Sequence, residues 1–363
     1  MLTDKCPLLI LLPNLTATIR GVVGQLMSVL NARNKDVISR RFGLKTGKKE
    51  TLDSIGKGYG ITRERVRQIE EASLKQIRDG LGAGLAVKLN PFVDLAENII
   101  ERAGGVTKEN HLFEEFSGSG KDGSANSALV FFLMLDGRLK RFADSDNFHA
   151  FWSLSSQHAD SFYKATEAFV KSLDKEGSPI QEVKLVDFYK KSGASFKDIT
   201  ADTVASHVSV CKNIAKNNFG QIGLTSWPDI RPRGVRDKAF LVLKRDGKPK
   251  HFREIAKLIN GSGFGDGRKA NVQTVHNELI KDSRFVLVGR GLYGLSEWGY
   301  KAGTVKDVIV DLMRSAGKPL HKKDIVAQVL SHRMVKENTI ILNLQDSKTF
   351  DKKGDGVYTL REA

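Results

Sequence analysis

The chain has 363 residues, of which 40% are hydrophobic, and it carries a formal net charge of +16. That length exceeds one ordinary domain, and the hydrophobic content is enough to form cores, which excludes a disordered polypeptide. The only two cysteines, Cys6 and Cys211, exclude a disulfide framework and a four-sulfur zinc site and favour a reducing compartment. The basic excess favours an anionic partner, nucleic acid before a membrane surface, with a merely soluble basic protein as the alternative.

The N-terminal region contains a short apolar run and then a helical pattern. Leu8–Leu12 is far shorter than a membrane span, and no small-residue cleavage site of a signal peptide follows it. We therefore expect a cytoplasmic protein without membrane contact. Residues 1–30 are predicted to form an N-terminal helical arm. Residues 16–42 show a helical pattern that ends at a left-handed C-cap, Gly43. Four apolar residues of that stretch share one face: Leu26, Leu30, Ile38 and Phe42.

Residues 31–82 contain a compact two-helix pattern. Leu52, Ile55 and Tyr59 form one apolar stripe, Gly60 ends that helix, and Thr62 is suited to cap the next one. Two helices joined by a short glycine-containing turn are typical of a helix-turn-helix. The second helix is predicted to bury the following residues: Val66, Ile69, Ser73, Ile77 and Leu81.

The same periodicity leaves a polar outer face at the start of the second helix. Its members are Arg63, Glu64, Arg67, Gln68 and Glu71. Arginine, glutamate and glutamine are suited to the edges of guanine, cytosine and adenine respectively, and the exposed amides of a helix start favour a phosphate. Residues 31–80 hold 13 Lys and Arg against 7 Asp and Glu, which would attract a DNA backbone. An ordinary solvated helix of alternating charge is the alternative.

Residues 31–81 resemble region 4 of housekeeping bacterial sigma factors. The resemblance lies in three stretches: Arg40-Arg41-Phe42-Gly43-Leu44, Glu50-Thr51-Leu52-Asp53-Ser54-Ile55-Gly56, and the run from Thr62 to Glu70. In that family the unit reads the −35 promoter element and touches the flap of RNA polymerase. The resemblance implies base contacts by Arg63, Glu64 and Gln68. Phosphate contacts are expected from Thr62, Arg65 and Arg67. Nothing resembles sigma regions 2 and 3, so unaided promoter melting is not expected.

The rest of the chain repeats itself. Four segments end alike at Leu154, Leu224, Leu295 and Leu360, with spacings of 70, 71 and 65 residues. This regularity predicts four tandem copies of one small domain. Each copy reads as three helices and a two-stranded hairpin, which is a winged helix. The copies are named here the first, second, third and fourth repeat: residues 86–158, 160–229, 234–300 and 303–363.

The third repeat carries a second resemblance. Its end, from Arg284 to Trp298, resembles a HARE-HTH winged helix, a domain that occurs in the delta subunit of bacterial RNA polymerase. The resemblance implies a transcription or DNA context. Arg290 lies at the predicted wing tip, where a DNA contact is expected, although winged helices also dock proteins. In the second repeat the apparent recognition helix, Thr203–Ala215, is not notably basic, which favours protein docking.

Other residue patterns in the sequence do not indicate a phosphate-binding loop or a metal site. The glycine-rich stretch Gly261–Gly267 lacks the Gly-Lys-Ser/Thr of a phosphate loop. His207 and Cys211 are four residues apart, a spacing that would let two side chains of one helix bind the same metal ion. No further ligands stand nearby in the sequence, so we interpret both as core residues. We expect no cofactor, no metal and no enzymatic activity.

The fold class predicted is mainly α: a sigma region 4-type helix-turn-helix followed by four tandem winged helices. The expected function is a nucleoid-associated transcription regulator or RNA polymerase accessory factor that binds double-stranded DNA at a −35-like element. Two alternatives stay open: a scaffold that docks on bacterial RNA polymerase and recruits proteins, and the specificity part of a restriction system. The sequence leaves the oligomeric state open.

Overall fold

The computed structural model is mainly helical, with four small antiparallel sheets. Among the parts that it describes, no helix is long and apolar enough to cross a lipid bilayer. The structure describes residues 15–80, 82–193, 199–264, 269–300 and 302–361. The predicted buried residue Leu81 and part of the Gly261–Gly267 stretch lie outside these ranges.

The chain divides into two compact units. One unit comprises Met1–Ala215 with Ile222–Thr225, and the other comprises Lys216–Gln221 with Ser226–Ala363. The first unit therefore holds the helix-turn-helix and the first two repeats, apart from the tip of a hairpin and the end of the second repeat. The second unit holds the third and fourth repeats.

Four helices open the first unit: α1 (Leu15–Met27), α2 (Ala32–Phe42), α3 (Leu52–Tyr59) and α4 (Arg63–Asp79). The single helical stretch predicted over residues 16–42 is thus two helices. The chain breaks because the Asn31 side chain accepts a hydrogen bond from the Asn34 amide and starts α2 as an N-cap. Gly43 ends α2 in the left-handed conformation, as predicted.

Two hydrophobic clusters hold these helices. A small one at the helix-turn-helix consists of Val37, Ile55, Val66 and Ile69. A larger one takes Leu74 and Ile77 from the second half of α4 together with Leu26 of α1 and Phe42 of α2, and it continues into the first repeat. Helix α4 therefore joins a small core at its start to a large core at its end.

The first repeat consists of α5 (Ala83–Arg102), β1 (Val106–Lys108), α6 (Glu109–Ser117), α7 (Ser124–Asp136), β2 (Lys140–Phe142) and β3 (Phe151–Ser153). Helix α7 is apolar almost all round, which is typical of a helix buried on several sides. It packs against the helix-turn-helix as well as its own repeat: the rings of Phe42 and Phe131 lie 5.2 Å apart, and Arg78 donates to the carbonyls of Met134 and Leu135.

The second repeat consists of α8 (Ser156–Glu176), β4 (Ile180–Gln181), α9 (Leu185–Lys191), α10 (Ala201–Val210), β5 (Ile214–Lys216) and β6 (Gln221–Leu224). The Ser155 side chain accepts a hydrogen bond from the His158 amide and caps the start of α8. Helix α10 ends at Val210, whereas the recognition helix predicted from sequence ran to Ala215. Ile214 belongs to a strand instead.

The second unit contains two further copies of this arrangement. The third repeat consists of α11 (Gly234–Asp246), β7 (Lys250–His251), α12 (Phe252–Gly261), α13 (Val272–Lys281), β8 (Phe285–Gly289) and β9 (Leu292–Leu295). The fourth consists of α14 (Val305–Ala316), β10 (Leu320–His321), α15 (Lys322–His332), α16 (Glu337–Leu344), β11 (Phe350–Lys353) and β12 (Val357–Leu360).

Each repeat has a three-stranded sheet in which the first and second strands flank the third. The predicted two-stranded hairpin is therefore present, and a short strand after the first helix adds to it. In the third repeat the spacing of Phe285 and Leu287 predicts that both point inward. Leu287 is instead 47% exposed, while its neighbours Val286 and Val288 are buried. The pairing of β8 with β9 shifts register between Leu287 and Gly289.

Candidate nucleic-acid interface

The turn between α3 and α4 depends on two glycines. The Ile61 amide donates to the Gly56 carbonyl at 3.0 Å, so the chain folds back against α3 as soon as that helix ends. A Cβ atom on Gly56 would lie 2.6 Å from the Ile61 carbonyl oxygen, a distance that real Cβ contacts do not show. Gly60 has φ +65°, in the left-handed region that other residues enter at a cost of about 1 kcal/mol. These two positions fix the angle at which α4 leaves the turn.

The start of α4 is capped and exposed. The Thr62 hydroxyl accepts from the Arg65 amide at 3.2 Å, which begins the helix at Arg63. Val66 and Ile69 are buried as the periodicity predicts. The predicted site residues face solvent together: Thr62, Arg63, Glu64, Arg65, Arg67 and Gln68. The structure thus brings these six residues to one solvent-facing helix start.

Most of these side chains pair with one another. Gln68 accepts from Arg65 at 3.0 Å. Arg67 donates to Glu64 at 2.7 Å and also pairs with Glu71. Within the described part of the chain, Arg63 has no hydrogen-bond or ion-pair partner. Exposed pairs of this kind are worth little, so they can exchange for contacts with a ligand.

The pairing fixes the charge of this surface. The hydrogen bond from Arg67 lowers the pKa of Glu64, and the same bond raises the pKa of Arg67. Both groups are therefore ionised at neutral pH. The surface at the start of α4 combines guanidinium donors with one carboxylate acceptor and one amide, which is the mixture that reads base edges rather than backbone alone.

Two ion pairs that sequence reasoning missed hold α4 in place. Glu70 is only 14% exposed and accepts from Arg41 of α2 at 3.0 Å. Arg41 also donates to the Glu50 carbonyl, while the Glu50 carboxylate takes two hydrogen bonds from Arg40. These residues bond to one another within the helix-turn-helix. The sequence did offer one signal for these ion pairs. All four residues lie in the stretches that resemble sigma region 4: Arg40, Arg41, Glu50 and Glu70.

Comparison with known proteins decides the class of this segment. Residues 26–79 match the family model of sigma-70, region 4. The resemblance predicted from the sequence is thereby confirmed.

Curated relatives of this region 4 segment are RNA polymerase sigma factors named SigA. The one from Lactococcus lactis subsp. cremoris is 40% identical over 60 residues, 16% of each chain. The one from a Bacillus species is 44% identical over 52 residues, 14% of each chain. The one from Clostridium acetobutylicum is 42% identical over 65 residues, 17% of each chain. The chain therefore spans about a sixth of the length of the curated relatives that it matches.

A second family model matches the third repeat. Residues 234–298 match the HARE-HTH model, a helix-turn-helix domain named for ASXL and restriction endonuclease among other proteins, which confirms the HARE-HTH resemblance. The chain thus contains two helix-turn-helix segments that match DNA-binding, transcription families. Arg290, the predicted wing contact, is exposed between β8 and β9.

The third helices of the first two repeats pack against other parts of the first unit. Helix α7 lies in the core that the first repeat shares with the region 4 segment. Helix α10 packs on β1: the Ser206 hydroxyl donates to the Val106 carbonyl at 2.6 Å, and the Thr203 methyl and hydroxyl lie against Gly104. This contact joins two parts of the same chain, so the expectation that the second repeat docks a partner protein stays a prediction.

His207 and Cys211 also lie in this buried region. The Tyr189 hydroxyl and His207 Nδ1 are 2.7 Å apart. Burial lowers the pKa of His207 to about 4 and raises the pKa of the Cys211 thiol to about 12. Both groups are therefore neutral at pH 7 and pack as core residues. Within the described ranges no cluster of three or more His, Cys, Asp or Glu is arranged to hold a metal ion.

Proposed function

We propose that this chain is a transcription regulator or RNA polymerase accessory factor that reads a −35-like promoter element with the start of α4. Arg63, Glu64 and Gln68 would contact base edges, and Thr62, Arg65 and Arg67 would contact phosphates. The supporting observation is that these six side chains are exposed together on a capped helix start while Val66 and Ile69 anchor its other face. Such a protein would act on the nucleoid in the cytoplasm, and we assign it no catalytic step.

The local structure suits base reading energetically. Arg63 needs to break no described contact before it reaches a guanine. To reach a base, Gln68 must break its hydrogen bond with Arg65, and Glu64 must break its hydrogen bond with Arg67. The two arginines can then donate to phosphates. Each exposed hydrogen bond that is lost is thus replaced by another charge-assisted hydrogen bond. The excess of 13 Lys and Arg over 7 Asp and Glu in residues 31–80 supplies the attraction common to any duplex.

The test is fluorescence anisotropy of the full chain with a −35-like duplex and a scrambled duplex at one fixed salt concentration. Arg63→Ala and Gln68→Ala should each lower the preference for the −35-like duplex by about tenfold or more, since a bidentate base contact discriminates by about 1–3 kcal/mol. Lys75→Ala, on the exposed side of the same helix but away from its start, is the matched control and should keep the preference. If both α4 variants discriminate as the wild type does, base reading by α4 is wrong.

A polymerase-docking scaffold is the second candidate function. One observation favours it: a cleft of about 530 Å³ beside α1, α2 and α7 has an apolar floor that includes Val23 and Leu44, with Arg20 and Lys45 in its lining. A peptide segment of a partner protein could fill such a cleft. Capture of core RNA polymerase that survives nuclease and high salt, and that Leu44→Asp abolishes, would support this candidate over promoter reading.

A further inference from the structure

The basic charge of the repeats is unevenly distributed. The first repeat holds 7 Lys and Arg against 10 Asp and Glu, and the second holds 9 against 9. The third repeat holds 13 Lys and Arg against 7 Asp and Glu, and the fourth holds 11 Lys and Arg against 8 Asp and Glu. The two repeats whose third helices pack against other parts of the first unit are thus the ones without net positive charge. The third repeat is as basic as residues 31–80, which also show an excess of six positive charges.

The third helix of the third repeat, α13, presents an outward face. Val275 and Leu279 are buried, whereas Val272, which the sequence pattern placed with them, is 40% exposed. Gln273, Thr274 and Asn277 are exposed as well. Gln273 Nε2 donates to Asn277 Oδ1 at 3.0 Å, so the two amides are aligned and leave one carbonyl oxygen and one amino group facing outward. This face therefore offers paired amides beside methyl groups.

The start of α13 is held in place by two asparagines. The Asn271 side chain caps α13 by accepting from the Gln273 amide. Asn260 of α12 bonds the Ala270 amide and carbonyl just ahead of that cap. Asn271 therefore caps α13, and Asn260 fixes the residue just before that cap to α12.

The wing is held by the fourth repeat. The Met334 amide donates to the Val288 carbonyl at 2.8 Å, and the buried Arg333 guanidinium donates to the carbonyls of Leu287 and Gly303. These contacts fix β8, and with it the exposed Arg290 at the turn to β9. A prepositioned helix and a prepositioned wing lower the ordering cost of binding.

We propose that the third repeat is a second reader of double-stranded DNA and that it prefers A·T over G·C base pairs. Adenine offers a donor and an acceptor in the major groove, which the Gln273–Asn277 amide pair complements, and the methyl groups of Val272 and Thr274 suit the thymine methyl. Arg290 enters the minor groove, which is narrow and strongly negative in A·T-rich duplexes. This inference does not depend on promoter reading by α4.

The composition of α13 argues against guanine reading. Arginine, the usual reader of guanine, is absent from this described helix, and its only cation is Lys281 at the last turn. His276 is half-buried and its ring stacks on Phe252 with the centroids 4.3 Å apart, so it packs within the repeat. Phosphate attraction comes from exposed cations elsewhere in the repeat: Arg253, Lys257, Lys269 and Arg290.

The test uses the full chain carrying Arg63→Ala and Gln68→Ala, so that α4 no longer selects sequence. Anisotropy is measured with an A·T-rich and a G·C-rich duplex, neither containing a −35-like element, at constant salt. We expect the A·T-rich duplex to bind about tenfold more tightly. Gln273→Ala with Asn277→Ala should remove the preference and leave weak, salt-sensitive binding. Arg290→Ala should weaken binding to the A·T-rich duplex more than to the other.

Gln157→Ala with Gln181→Ala, two exposed amides of the second repeat, is the matched control and should keep the preference. Equal affinity for the two duplexes, or an A·T preference that survives the Gln273 and Asn277 changes, would overturn the proposal. Loss of −35 selectivity in the α4 variants is a separate readout, so failure of one reader can be told from failure of the other.

Discussion

At the residue scale, the sequence predicts which side of α4 faces solvent but not how its side chains pair. The 3.6-residue period places Val66 and Ile69 inside and Gln68 outside because one period fixes all three. The partner of Gln68 could be any exposed group three or four residues away, and the structure selects Arg65. The contact between Arg41 and Glu70 joins residues 29 apart, and no local pattern encodes it.

Gly56 gives a residue-scale prediction with a built-in control. Gly56→Ala should displace the turn, because the added Cβ would lie 2.6 Å from a backbone oxygen that cannot move alone. We expect a loss of about 1–3 kcal/mol from the helix-turn-helix, faster hydrogen exchange in α3 and weaker binding to a −35-like duplex.

Gly58→Ala is the control for this change. An added Cβ there would meet only the flexible end of Arg40, at 3.3 Å, and alanine gains about 0.8–1 kcal/mol over glycine inside a helix. We expect unchanged or slower hydrogen exchange in α3. Similar exchange in the two variants would mean that the close approach at Gly56 does not control the turn.

At the element scale, helices were predictable and the first strand of each repeat was not. Helices α12 and α13 show clear apolar periods, and their bounds follow from them. Strands β7 and β10 have two residues each, too few for an alternation to be seen. Helix α7 was predictable as buried, because its run of apolar residues has no polar face, but its contact with the region 4 segment was not.

The docking of α10 on β1 makes an element-scale prediction. Ser206 is buried and donates to the Val106 carbonyl, so Ser206→Arg would force a charged side chain into that contact. We expect faster hydrogen exchange in both α10 and β1, with the −35 preference of α4 retained. Ser209→Arg, on the exposed side of the same helix, should leave exchange near the wild-type rate. Equal effects of the two changes would contradict the assigned interface.

At the scale of the whole molecule, the net charge of +16 predicted an anionic partner but not where it binds. Positive charge is concentrated in the region 4 segment and in the third repeat, which belong to different compact units. The repeat spacing predicted modules of similar fold, and such modules differ in which faces are left exposed. Which faces are exposed depends on contacts between modules, and a sequence repeat of 65 to 71 residues does not predict those contacts.

Two readers in one chain make a stoichiometric prediction. With an excess of short duplexes, native mass spectrometry of the full chain should show two duplexes per chain, because each reader has its own exposed surface. Arg63→Ala with Gln68→Ala should reduce the count toward one, and so should Gln273→Ala with Asn277→Ala. A wild-type complex that never exceeds one duplex per chain would argue against two independent readers.

The hydrogen bond from Met334 to Val288 has a consequence for solubility. Strand β8 is the outer strand of its sheet, and an outer strand with unpaired carbonyls is a template on which other chains can add. The Met334 amide and the Arg333 guanidinium occupy the carbonyls of Val288 and Leu287. The fourth repeat thereby covers part of this edge of the third repeat, so fewer carbonyls there are left for another chain to pair with.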